Sequence, residues 1–321
     1  MGKTRRIAAI DIGTVTTRLL VADVNEQGLR EVERSTDITH LGENLTQTGR
    51  LSESAMATVA DVIAGYSRTM ARLGVERSVA IATSASRDAS NADRFIELLS
   101  ASGVTPEVIP GRREAALAFL GATAEREGEG LLVVDCGGGS TELIVGSVSK
   151  SGEGRVAEVA AARSIDVGSR RMTEKYLLGD PPTAAELDRA RAWASGEIRP
   201  FFERLDTRPR QLIGVAGTAT TLAAIHQELV EYDSAAVHGY VLSGSDLSDM
   251  LEMLAALPLE RRKQVVGLHP QRASVIVAGA LIFETVLALA GVDSMLVSEH
   301  DILYGILLDA YRELQQPANS Q

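Results

Sequence analysis

Ala9-Ile10-Asp11-Ile12-Gly13-Thr14-Val15-Thr16-Thr17-Arg18-Leu19-Leu20-Val21 lies over Val133-Val134-Asp135-Cys136-Gly137-Gly138-Gly139-Ser140-Thr141-Glu142-Leu143-Ile144-Val145 without a gap. Asp11 meets Asp135, Gly13 meets Gly137, Thr17 meets Thr141, Leu19 meets Leu143 and Val21 meets Val145, while Thr16 and Ser140 both carry hydroxyls. Each copy reads as a buried strand, an Asp-x-Gly turn rich in hydroxyls, and a returning strand. Self-similarity of this kind marks a duplicated unit. Chance matching of short Val/Ile strands would not supply the aligned Asp, Gly and Thr. The expectation is an α/β protein of two duplicated domains with a cleft between the halves.

Working outward from the first hairpin, apolar residues recur at helical spacing over 53–73, with Ser52 as the N-cap and Gly74 just past the end. A strand is expected at 79–83, a helix at 92–100, a strand at 107–109 and a helix from about 112 to 125. The polar, glycine-bearing stretch 125–130 reads as a linker, which sets the domains at 1–126 and 127–321. Around the second hairpin, strands at 131–135 and 141–148 lead to a flexible tip at 149–154, and a long helix covers 184–205. A strand at 212–215 passes through Gly217 into a helix from Thr218. Helices at 246–257, 271–290 and 300–314 and a strand at 294–297 complete the pattern, with 317–321 as a disordered end. The C-terminal helix, about 300–315, is expected to pack back on the first domain.

The chain has 321 residues, 45% hydrophobic and only 4% aromatic, so a large core must rest on Ala, Val, Leu and Ile, which suits α/β layers. A net charge of −11 argues against a general nucleic-acid binder, and no DNA partner is expected. One cysteine, Cys136, excludes an intramolecular disulfide and makes a reducing, cytoplasmic compartment the default. Basic residues precede 7–10, but Asp11 and the threonines end that apolar stretch too soon for a signal peptide. No apolar run reaches the length of a spanning helix, so no membrane partner is expected.

Glycines let a backbone approach an anion closely, and successive N–H groups form a concave anion site. An aspartate at a strand end adds a ligand for a divalent cation, since Mg²⁺ keeps several waters and takes one or two carboxylates. Asp135 and Glu142 flank the Gly137–Gly139 run, which fits a metal beside a phosphate. The plain alternative is a tight hairpin whose glycines only permit the turn. A third glycine turn, Gly214-Val215-Ala216-Gly217-Thr218-Ala219-Thr220-Thr221, joins a strand to a helix and offers its N-terminus to phosphate, or simply caps it. The sequence holds no G-x-x-x-x-G-K-[ST], G-x-S-x-G, H-E-x-x-H or paired C-x-x-C.

On these residues the chain resembles the exopolyphosphatase/guanosine pentaphosphate phosphohydrolase family, within the actin-like (ribonuclease H-like) sugar kinase/Hsp70 superfamily. The likeness runs from Ile7 almost to the C-terminus. It is carried by Ala9-Ile10-Asp11-Ile12-Gly13, by Ala82-Thr83-Ser84-Ala85-Ser86-Arg87-Asp88-Ala89 with Asn91, and by Ile109-Pro110-Gly111-Arg112-Arg113-Glu114-Ala115. Asp135-Cys136-Gly137-Gly138-Gly139-Ser140-Thr141-Glu142 is its most specific part, followed by Gly214 to Thr221 and by Gln271-Arg272-Ala273 leading to Ala278-Gly279-Ala280. The resemblance implies two actin-like domains and a short, two-domain form of the family. Glu114 is implied as the base that activates or orients water, and Asp135, Glu142 and Asp11 as carboxylates around Mg²⁺ or Mn²⁺. Gly13, Thr14, Thr17, Gly137, Gly138, Gly139, Ser140, Thr141, Gly217 and Thr218 are implied in phosphate binding, with Arg87 facing the cleft.

Three departures from the family stand out. Thr14-Val15-Thr16 replaces a Ser-Asn-Ser turn, Arg113 replaces an acidic residue before Glu114, and Ser298-Glu299-His300-Asp301 removes a C-terminal arginine. Arg112, Arg113, Arg163, Arg170, Arg171 and Lys175 are read as a basic track for a long anion or as scattered surface charge; a homodimer would lengthen the track. His40, His226 and His269 are read as structural, and Glu299, His300 and Asp301 as an acidic helix start. The leading expectation is hydrolysis of terminal phosphate from inorganic polyphosphate. Its rivals are hydrolysis of guanosine pentaphosphate, and a catalytically weak sensor of polyphosphate or alarmone.

Overall fold

A computed structural model describes residues 3–26, 28–151 and 154–315, and all absences below refer to these residues. The disordered end expected at 317–321 lies outside them. The chain divides into two compact units, one of Met1–Ala124 with Ile302–Gln321 and one of Glu125–Asp301.

In the first unit, strands β1 (Arg5–Ile12), β2 (Thr16–Asn25), β3 (Gly28–Ile38), β4 (Arg77–Ala82) and β5 (Glu107–Val108) form one sheet in the order β3-β2-β1-β4-β5. β1, β2 and β3 are successive antiparallel neighbours, whereas β4 runs parallel to β1 and β5 parallel to β4. The second unit holds β6 (Gly128–Cys136), β7 (Thr141–Ser151), β8 (Gly154–Ile165), β9 (Gln211–Val215), β10 (Val241–Ser243) and β11 (Ser294–Val297) in the order β10-β11-β9-β6-β7-β8. Taken from the β8 edge, the third, second, first and fourth strands repeat the first unit, and β11, the unit's sixth strand, lies parallel to β9 in the place of β5, with β10 added antiparallel outside it. The bulges repeat too: pairing slips between Val21 and Ala22 in one unit and between Val145 and Gly146, the equivalent positions, in the other. A bulge inserts a residue and strengthens local twist, so a shared bulge is a shared backbone path. The sequence repeat is therefore a repeat of sheet topology.

Local chemistry explains the main elements. The helix Glu53–Leu73 starts where the Ser52 side chain accepts the Ala55 N–H and stops at Gly74, whose φ of 64° suits a residue without Cβ. It buries Met56, Val59, Ile63, Tyr66 and Met70 against the first sheet. The Tyr66 hydroxyl lies 2.9 Å from the Thr17 carbonyl and 2.7 Å from the Asp37 carboxylate, pinning the helix beside the hairpin. The helix Ile302–Gln315 belongs to the first unit, where a Cβ on Gly305 would stand 1.9 Å from the Leu117 carbonyl. Only glycine lets it lie this close to the helix Gly111–Ala122.

The structure corrects several sequence expectations. Strands β3 and β8 were not foreseen, and the tip placed at 149–154 is mostly strand, with residues 152–153 outside the description. The stretch expected as a linker already enters β6 at Gly128. The helix expected from Thr218 begins at Ala216, so Gly217 and Thr218 sit in its first turn. The helix expected over 271–290 is a separate 3₁₀ turn, Pro270–Arg272, and then a helix Ile276–Ala290. Among the described residues no helix is long and apolar enough to cross a membrane.

Candidate active site

In the first unit, Asp11, next to last on β1, lies directly opposite Arg18 on β2. Arg18 grips the carboxylate with Nη2 at 2.6 Å and Nε at 3.1 Å, and both side chains are largely buried. The turn between the strands closes through the Gly13 N–H donating to the Thr16 carbonyl at 2.9 Å. Its outward carbonyls are engaged: Thr14 accepts from the Gly42 N–H, and Val15 from the N–H groups of Thr39 and His40, each at 2.9 Å. Gly42 passes so near that a Cβ there would stand 2.3 Å from Thr14 Cγ2. The Thr17 hydroxyl is buried and lies 3.1 Å from that of Thr39, which makes it a clip within the unit rather than a free donor.

Glu114 lies in the first turn of the helix Gly111–Ala122, only 7% exposed. Arg87, on the short helix Ser84–Asp88, donates through Nη1 to Glu114 Oε2 at 2.6 Å and to the Ile109 carbonyl at 3.0 Å. Burial pushes the Glu114 carboxyl up to about 7; the Arg87 charge and hydrogen bond oppose this, Asp11 adds to it, and the Thr83 hydroxyl lowers it. A carboxylate poised near neutrality suits a general base. Arg113 forms an ion pair with Asp309 rather than with Glu114.

In the second unit, Asp135 and Glu142 occupy the register of Asp11 and Arg18, so two carboxylates face each other where the first unit has an ion pair. Directly opposed residues of an antiparallel pair bring their side chains together on one face. Both are buried, and Glu142 Oε1 accepts the Ser164 hydroxyl at 2.7 Å. The turn repeats the first one, with the Gly137 N–H donating to the Ser140 carbonyl at 3.0 Å. The Thr141 hydroxyl donates to the Val167 carbonyl at 2.5 Å and is buried, the counterpart of the Thr17 clip. Gly137, Gly138 and Gly139 direct their carbonyls onto the start of the helix Ser169–Tyr176. The N–H groups of Gly138, Gly139 and Ser140 have no backbone partner among the described residues. Cys136 is buried and its thiol is pushed up to about 12, chiefly by burial, so it is no nucleophile.

At the third turn, Ala216 takes a left-handed φ of 61° and swings β9 into the helix Ala216–His226. The Thr218 hydroxyl donates to the Cys136 carbonyl at 3.1 Å, tying this helix to the end of β6. A Cβ on Gly217 would fall 1.6 Å from Arg272 Nη1, so the guanidinium rests on the helix start.

Sequence reasoning did not weigh Arg18 as a site residue, although it is the partner of Glu142 in the repeat. In the sequence Arg272 stands only within a motif, and the helix Ser169–Tyr176 was not expected. The basic track dissolves in part: Arg170 stands 3.7 Å from Glu174, Arg171 bonds the Gly139 carbonyl, and Lys175 lies over Tyr176 and Trp193. Glu125, His238 and His300 come together in the second unit, with their nearest ligand atoms about a metal's reach apart. His238 Nδ1 accepts the Glu299 N–H at 3.2 Å, the reverse of a ligating imidazole, whose second nitrogen normally donates.

The chain resembles known proteins over nearly its whole length. It is 39% identical to exopolyphosphatase 2 of Mycobacterium tuberculosis, across 94% of this chain and 98% of that one. Among solved structures, an exopolyphosphatase-like protein superposes with a TM-score of 0.91 at 36% identity, covering 98% of this chain and 99% of the other. The Aquifex aeolicus member of the Ppx/GppA family gives 0.80 at 31% identity, covering 98% and 100%. An exopolyphosphatase from Cytophaga hutchinsonii gives 0.86 at 27%, covering 96% and 98%. The profile of the Ppx/GppA phosphatase family matches residues 20–313, and with the duplicated sheets and their two Asp-x-Gly turns this places the chain in that family.

Proposed function

We propose that this protein is a divalent-metal-dependent exopolyphosphatase, releasing orthophosphate from the ends of inorganic polyphosphate in the cytoplasm. The observation that carries the reading is the second turn. Its carbonyls are held on one side, which leaves successive N–H groups for an anion, and Asp135 and Glu142 stand together beside it. The 39% identity to a protein named exopolyphosphatase 2 points to the same substrate.

Phosphoryl transfer needs charge neutralisation, positioning and one group that aligns water. Two buried carboxylates face to face form an all-oxygen donor pair, which fits a hard divalent ion such as Mg²⁺ or Mn²⁺. Bound there, the ion would neutralise charge on the phosphoryl oxygens. Asp11 is assigned to holding Arg18, because the two are ion-paired. Thr14 in the first turn, and Gly138, Gly139 and Ser140 in the second, bind phosphate through backbone N–H groups, while the Gly13 N–H closes its own turn. Thr17, Thr141 and Thr218 shape the turns. Glu114, ionised, takes the proton from the attacking water, while Arg87 holds its carboxylate in place.

The test is a parallel assay of phosphate release from long-chain polyphosphate, short-chain polyphosphate, guanosine pentaphosphate and ATP. The proposal expects polyphosphate to have the highest kcat/KM. Preferred turnover of guanosine pentaphosphate would replace it with the alarmone reading, and tight binding of any of them without turnover would replace it with the sensor.

A further inference from the structure

The Gly137–Gly139 turn is not self-supporting. Its three carbonyls are each held by the segment that begins the helix Ser169–Tyr176. Gly137 accepts from the Ser169 N–H at 2.9 Å and the Ser169 hydroxyl at 3.1 Å. Gly138 accepts from the N–H groups of Arg170 and Arg171, at 2.9 and 3.1 Å. Gly139 accepts from the Arg171 side chain, through Nε at 2.8 Å. Gly168 makes the approach possible, since a Cβ there would meet the Gly138 carbonyl oxygen at 2.4 Å.

In a planar trans peptide, the carbonyl of one residue and the N–H of the next point in opposite directions. Fixing the carbonyls of Gly137, Gly138 and Gly139 therefore aims the N–H groups of Gly138, Gly139 and Ser140 the other way. The first unit shows the same arrangement made differently. There the carbonyl of Val15, the counterpart of Gly139, is held by two backbone N–H groups, from Thr39 and His40. In the second unit a charged side chain does this work. A guanidinium donor makes a stronger hydrogen bond than a neutral one, and it polarises the peptide whose N–H faces the ligand.

We propose that Arg171 is a positioning residue of the phosphate turn, setting the Gly139–Ser140 peptide so that the Ser140 N–H meets the anion. This rests on reading the turn as an anion site. Arg171 holds the turn and touches no substrate. Its distance of 3.9 Å from the exposed Asp166 carboxylate is a side contact that does not matter for this role.

The experiment is calorimetric titration of the whole protein with tripolyphosphate in EDTA, so that no metal takes part. Its companion is the ¹⁵N shift of the Ser140 amide on adding tripolyphosphate. Arg171→Leu is expected to weaken binding about tenfold, equivalent to ~1.4 kcal/mol, and to abolish the Ser140 shift. Arg171→Gln retains an N–H donor of shorter reach and should recover part of both, which a purely steric role would not allow. Asp166→Asn should bind as the unmodified protein does. If Arg171→Leu does not fold, Arg171→Gln alone decides through the Ser140 shift. Unchanged affinity and an intact Ser140 shift in the Arg171 variants would overturn the proposal while leaving the exopolyphosphatase reading standing. Tripolyphosphate binding by the unmodified protein, with no phosphate release once Mg²⁺ or Mn²⁺ replaces the EDTA, would sink that reading instead and leave Arg171 to be judged by the affinity ratio. No binding by the unmodified protein in EDTA would overturn the Arg171 proposal, while the exopolyphosphatase reading would still be judged by phosphate release with Mg²⁺ or Mn²⁺.

Discussion

Replacing Arg87 by methionine isolates what the ion pair does for Glu114. The methionine keeps much of the stem but removes both the charge and the hydrogen bond to Oε2, now 2.6 Å long. Burial already holds the Glu114 carboxyl at about 7, with Arg87 pulling against it. An arginine beside a carboxylate lowers its pKa by about 1–3 units. With the Arg87 side chain 22% exposed and that of Glu114 10% exposed, solvent screens the pair only in part. The acid limb of kcat/KM should therefore move up by about 1–2 pH units. For a move of about 1.5, the ionised fraction of Glu114 at pH 7 falls from about one half to ~3%, so the rate falls about 15-fold there. At pH 9 the variant should recover to within about twofold of the native rate. The assay is phosphate release from polyphosphate between pH 5 and 9.5. A limb that stays in place, with an equal loss at every pH, would refute the reasoning and make Arg87 a substrate contact instead.

The raised Glu114 pKa also bears on stability. A carboxyl whose folded pKa lies above its unfolded value loses stability as pH climbs from the unfolded pKa through about 7, so Glu114→Gln should raise Tm at pH 8 and change it little at pH 4. Ser164→Ala removes the hydroxyl that orients Glu142, and should raise the metal concentration for half-maximal activity by about 10–100-fold. Gly168→Ala drives a methyl into the Gly138 carbonyl, which has no room to retreat, and should cost about 1–3 kcal/mol in a urea titration. Gly217→Ala meets only the end of the Arg272 side chain, so thermal unfolding should show Tm within a few degrees of the native value as that guanidinium gives way.

The fold was legible where apolar pattern and glycine chemistry coincide. The aligned Asp, Gly and Thr of the two hairpins sufficed to find the duplication, and Ser52 and Gly74 bounded their helix correctly. Strand β3 was missed because Gly28–Ile38 is an edge strand dominated by Arg, Glu, Ser, Thr and Asp, with no apolar alternation to betray it. Strand β8 lies at the opposite kind of extreme, an alanine-rich edge strand with weak strand propensity. The break before Ile276 was hidden because Pro270–Arg272 and the following helix carry one continuous helical pattern.

Within the candidate site, residue types were readable but partners were not. Sequence placed Arg87 and Glu114 in separate motifs, and only the folded unit shows them hydrogen-bonded. Thr17 and Thr141 were read as phosphate donors because hydroxyls suit that role, yet burial turns both inward to clip the segment after the third strand. The different partners of Asp11 and Asp135 were already present in the repeat, as Arg18 against Glu142. Their meaning needed the strand register, which makes one pair a salt bridge and the other a facing pair of carboxylates.

The most direct test of the account is phosphate release from long-chain polyphosphate by the native protein and by Glu114→Gln and Glu142→Gln, each with Mg²⁺, Mn²⁺ or EDTA. The account predicts release that requires a divalent ion, falls at least about 100-fold without the Glu114 base, and in Glu142→Gln returns in part as metal concentration rises. Undiminished release by Glu114→Gln, or full activity in EDTA, would contradict it.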